Sequence, residues 1–109
     1  MEQNIIYIKN LVKEIGIENE YVNTCVEGII KNQKEINKLA NKYMNNWTID
    51  RLNKVDKAIL SLAIYELMYT DTPSVVAINE AIELAKKYTD EDLVSMINAV
   101  LDKFMKDEL

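Results

Sequence analysis

The sequence predicts an all-α protein, a single helical domain of about six helices over residues 1–109, and three observations carry that prediction. Apolar residues recur at three- and four-residue spacing along nearly the whole chain, the period of a helix with one buried face. Gly 2 and Pro 1 leave almost no turn punctuation, which argues against an all-β or dinucleotide-binding α/β chain. Hydrophobic residues make up 49% of 109 positions, enough to bury one core without disulfide or metal staples.

Each element follows from its own stretch. "NIIYIKNLVKEIG" sets Ile5, Ile8, Val12 and Ile15 at helical spacing, with Gly16 as a stop. "ENEYVNTCVEGIIKN" continues with Tyr21, Val22, Cys25, Val26, Ile29 and Ile30. The apolar seam shifts near Asn32, and Ile36, Leu39, Ala40 and Tyr43 form the next one. "NNWTID" breaks the pattern. Thr48 is the expected N-cap of a helix from about residue 49 to 69, with Asp50 in its positive first turn and Trp47 stapled onto Leu52. "TDTPS" ends that helix and Pro73 starts the next, in which Ala77, Ala81, Leu84 and Tyr88 line one stripe and Val75, Ile78, Ile82 and Ala85 its neighbour. In "TDED", Thr89 and Asp92 resemble a capping box for a final helix carrying Leu93, Ile97, Val100 and Phe104.

Composition narrows the chemistry. There is no histidine, so the usual general base and commonest metal ligand are missing, and Cys25 is the sole cysteine. Cys25 is expected to act as a small buried hydrophobe. No Gly-rich loop cradles phosphate, and Asp90, Glu91 and Asp92 read as cap chemistry at a helix start. The expectation is a non-catalytic protein with no cofactor and no metal. No apolar run approaches the roughly 20 residues of a membrane span, and no signal peptide is visible. A cytoplasmic protein that avoids membranes is therefore expected. The closing "KDEL" is read as the end of a charged helix rather than a retention address. A net charge of −5 argues against sequence-independent binding to nucleic acid, though not against a local site.

Four features admit both a structural and a functional reading. Asn79 and Glu80 fall on the polar half of their helix, as a solvated corner or as something a partner reads. Glu66 lies in an apolar arc beside Leu62, Ala63 and Tyr69 and needs hydrogen bonds or a counter-charge, since an unpaired buried charge is costly. Arg51, about four turns away, cannot supply it. Lys31, Lys34, Lys38 and Lys42 make a basic row, either solvated or able to steer an anionic partner. Met96, beside Ser95 and Ala99, is an edge-of-core residue or a contact platform.

The strings from Trp47 to Phe104 resemble the NusB family of bacterial transcription antitermination factors. The matching motifs are Arg51-Leu52, Val55-Asp56, Ala58-Ile59-Leu60, Tyr65-Glu66-Leu67, Pro73, the run Val76 to Lys86, Asn98 and Val100-Leu101-Asp102. The resemblance implies two packed helical subdomains and a heterodimer with NusE, a small-subunit ribosomal protein, that binds boxA RNA. It places Asp50, Asn79, Glu80 and Met96 on the RNA side, and Asp56 and Ser74 on the partner side. The family's usual arginine-rich first helix is expected to be missing, since no arginine precedes Arg51, and Ser61, Met96 and Ala99 depart from its common residues. Weakened boxA affinity follows from the resemblance. The alternative is a protein-interaction or homodimerising module that has lost RNA binding; a third reading, the front end of an RNA cytosine methyltransferase, lacks its catalytic domain here.

Overall fold

In the computed structural model, residues 20–44 and 48–109 are described. They form α1 (Glu20–Lys31), α2 (Gln33–Tyr43), a 3-10 turn (Ile49–Arg51), α3 (Lys54–Tyr69), α4 (Ser74–Tyr88) and α5 (Glu91–Glu108). The expected Ile5–Ile15 helix and the Trp47 staple lie outside the described residues.

α3 is the hub. It packs against α1, α2, α4 and α5, which is why its sequence is apolar nearly all round: Ala58, Ile59, Leu60, Ala63, Ile64 and Leu67 are all buried. α4 buries Ala77, Ala81 and Ala85 fully, with Ile78, Ile82 and Leu84 packed half-buried against the core, and the small alanine side chains let its backbone approach α3 and α5 closely. The expected stripe on this helix is narrower than predicted. Val75 is 66% exposed and Tyr88 40%, because the small alanines, rather than the larger residues beside them, form the seam. α5 buries Ile97, Val100, Leu101 and Phe104, and the Phe104 ring meets Tyr43 of α2 edge-on, 5.8 Å between centroids.

The helix ends show how local chemistry sets the topology. α1 passes to α2 through Asn32, whose backbone N–H and side-chain amide both donate to the Gly28 carbonyl, the latter at 2.8 Å. Asn41 of α2 accepts from the Ile49 N–H at 2.7 Å and so pins the entry of the 3-10 turn. The helix expected from residue 49 begins at Lys54 instead. Thr48 makes no side-chain cap bond, whereas Asn53 accepts from the Asp56 N–H at 2.9 Å. α3 and α4 end alike, with the hydroxyls of Thr70 and Thr89 donating to the carbonyls of Glu66 and Ala85. That engages Thr89 with the helix behind it, so Asp90 rather than Thr89 caps α5, accepting from the Leu93 N–H at 3.0 Å. At its far end α5 runs through Lys106 and Glu108, where Lys106 pairs with Asp102 at 3.0 Å. No described helix is long and apolar enough to cross a membrane.

Candidate functional site

The N-terminal turn of α3 and the start of α5 line a half-open cavity of about 440 Å³. Arg51 and Asn53 reach it from the 3-10 turn and the linker after it, Asp56 from α3, and Asp90, Asp92 and Met96 from the α5 side. Leu52 and Leu93 supply apolar wall. The local sequence makes this geometry. An N-cap at Asn53 places Asp56 at the third helical position, turned inward, while the cap at Asp90 starts α5 beside it.

Asp56 is the anomaly of the site. It is fully buried, and among the described residues neither carboxylate oxygen has a hydrogen-bond partner. Burial, and then the nearby Asp90 charge, push its carboxyl above the ordinary aspartate range. Lys57, the next residue along α3, is engaged with Asp50 at 3.4 Å. The lining is acidic: it holds three carboxylates, one guanidinium and the half-buried Met96. Among the described residues no cluster of His, Cys, Asp and Glu could hold a metal ion.

The cavity thus brings together Asp56 and Met96, which the resemblance set on different faces. The other candidates lie outside its lining. Asp50 is exposed on the 3-10 turn, Asn79 and Glu80 are exposed on α4, and Ser74 is half-buried as the first residue of α4. Glu66 is 5% exposed and is not without a partner. Lys31, Lys34, Lys38 and Lys42 are all exposed. Lys42 is tied to Glu108 at 2.7 Å, and Glu108 also accepts from the Tyr43 hydroxyl. Sequence reasoning passed over Asn53. The Asn53-to-Asp56 spacing, that of a helix cap and its third residue, was the available signal.

The comparisons with known proteins decide the family. The family model described as "NusB family" matches residues 3–106. The chain belongs to the NusB family. A transcription antitermination protein NusB from Thermoanaerobacter sp. (strain X514) is 43% identical over 96 residues, covering 88% of this chain and 69% of the relative. Among solved structures, T. maritima NusB superposes with a TM-score of 0.77 at 28% identity, covering 96% of this chain and 89% of that one. A crystal structure of antitermination factors NusB and NusE in complex with dsRNA matches with a TM-score of 0.74 at 29% identity, over 90% and 76% of the two chains. NusB members are thus transcription antitermination proteins, and this chain shares their all-helical fold.

Proposed function

We propose that this chain is a cytoplasmic, non-catalytic antitermination factor, one domain over residues 1–109, that docks NusE and with it binds boxA RNA. The observation that carries the reading is the family match across residues 3–106, joined to the fold shared with the NusB of a NusB–NusE–dsRNA complex. Asp56 and Ser74 face the protein partner, and Asp50, Asn79, Glu80 and Met96 face RNA. The exposure of Asn79, Glu80 and Asp50 is consistent with that role. A net charge of −5 with Arg51 as the sole arginine makes RNA affinity depend on NusE's own surface, because phosphate neutralisation dominates such affinity.

Gel shift with boxA RNA, with and without NusE, tests this. Weak binding alone and a stable ternary complex are expected; no shift with NusE present refutes the reading. A second reading, self-association, is favoured by the exposed apolar corner of Met68, Tyr69, Val75 and Val76. Sedimentation at micromolar concentration decides it: a clean monomer removes it.

A further inference from the structure

The solvent half of α2 carries charge that folding does not use. Ile36, Leu39, Ala40 and Tyr43 take the buried half of the helix. The opposite half presents Lys34, Lys38 and Lys42 one turn apart, flanked by the amides of Asn37 and Asn41 and at one edge by Glu35. Lys31 joins the same row. The Asn32 N–H donates to the Gly28 carbonyl and the Ile36 N–H to the Asn32 carbonyl, both at 3.0 Å, so helical bonding runs through the junction of α1 and α2 and keeps the register. The row is about 16 Å long, at 1.5 Å per residue.

Four of the chain's 13 basic side chains stand in this row, in a chain with 18 acidic ones, so a positive face sits on a negative whole. Lysines four apart on a helix repel one another, and folding gains nothing from setting them so. Lys42 is neutralised by Glu108 at 2.7 Å. Among the described residues Lys31, Lys34 and Lys38 form no ion pair, and all three are exposed.

The residue types choose among anionic partners. The solvent half of α2 holds no apolar side chain, which a helix lying on a membrane or at the centre of a protein interface would present. It holds no arginine fork for a base edge and no aromatic ring on which a base could stack. Lysine ammoniums are point charges that take phosphate oxygens whatever the sequence. The row is also continuous with the face given above to RNA. Asn41 accepts from the Ile49 N–H at 2.7 Å, which sets the 3-10 turn, with Asp50 and Arg51, at the Lys42 end of α2. We propose that this face of α2 is a second, sequence-independent RNA track, on which Lys31, Lys34 and Lys38 pair with phosphates of the single strand flanking boxA. This rests on the antitermination reading above and deepens it: boxA supplies the sequence, and the row holds the RNA that leaves it.

The test compares the full chain with the triple variant Lys31→Gln, Lys34→Gln, Lys38→Gln, a change at exposed positions where the two residue types have similar helix propensity. Each protein, bound to NusE, is titrated with boxA RNA alone and with boxA extended by about ten uridines at both ends, enough to cover a track of this size. On the extended RNA the variant should show a log–log salt slope shallower by about 2, from three phosphates at about 0.7 each. On boxA alone the two proteins should match, and the Lys31→Arg, Lys34→Arg, Lys38→Arg triple should keep the full slope on the extended RNA. A slope changed by less than about 0.5, or changed equally on both RNAs, overturns the inference. Weaker binding of NusE by the Gln variant without RNA assigns the row to the protein partner and overturns it as well. If the parent with NusE binds no boxA, the functional reading falls by itself. The row is then judged with oligouridine and the chain alone at low salt: saturable shifts of the α2 amide resonances support the inference, and unmoved resonances overturn it.

Discussion

Gly28→Ala looks like a stabilising change and should be the reverse. Gly28 is helical in α1, where alanine is favoured over glycine by up to about 1 kcal/mol. A Cβ on Gly28, however, would overlap the Cε1, Cζ and Oη atoms of Tyr65 on α3. The ring is held in place by stacking on Tyr69, with centroids 5.3 Å apart and planes 27° from parallel. Forcing it aside is an overpacking change of about 1–3 kcal/mol, of which lost stacking supplies about 0.5–1.5. The net expectation is a loss of about 0–2 kcal/mol once the propensity gain is subtracted. A double-mutant cycle in urea isolates the clash, provided the m-value stays constant. In a Tyr65→Ala background the obstacle is gone, and Gly28→Ala should turn stabilising. An equal gain in both backgrounds would refute the reasoning, since the close approach of α1 and α3 would then not constrain position 28.

Three further outcomes follow from the geometry. Asn53→Ala and Asp90→Ala should each lower urea stability by about 1 kcal/mol, with Asn53 the larger because its bond is more buried, while Thr48→Ala should stay within about 0.5. Hydrogen bonds from Lys42 and Tyr43 hold the Glu108 carboxyl below its ordinary range, so it binds fewer protons folded than unfolded. Its stabilisation is therefore complete above the ordinary glutamate range and lost as pH falls through the depressed value, and Glu108→Gln should flatten that part of the Tm-against-pH curve. Hydrogen exchange should find residues 58–68 the slowest in the chain; opening as fast as the α5 C-terminus would contradict the hub role of α3.

What was legible in the sequence was periodicity, and what was not was competition between caps. The seams of α2 and α5 appear in the structure as the spacing predicts, with Ile36, Leu39, Ala40 and Tyr43 buried in one and Ile97, Val100 and Phe104 in the other. Thr48 and Thr89 misled because a threonine before a helix can face either way. Thr89 is used by the helix behind it, and the chain after Thr48 takes a 3-10 turn before Asn53 starts α3. Periodicity also overweighted Val75 and Tyr88, since a wheel counts apolar residues but cannot tell that alanines make the closest seam. The exposure of Asn79 and Glu80 was legible from the wheel alone; the cavity was not. It depends on two helix starts, at Asn53 and Asp90, meeting across 37 residues of sequence, and nothing in either stretch announces the other.

The same logic explains why Asp56 stands out physically. A helix needs acidic character in its first turn only weakly, and an exposed Asp or Glu would meet that need. A core needs an apolar side chain at a fully buried position, and replacing a buried charge by a well-packed hydrophobe is often neutral or stabilising. Asp56 satisfies neither demand well. Its position is set by the fold all the same, in the first turn of the helix that every other described helix packs against, where its own N–H donates to the Asn53 cap.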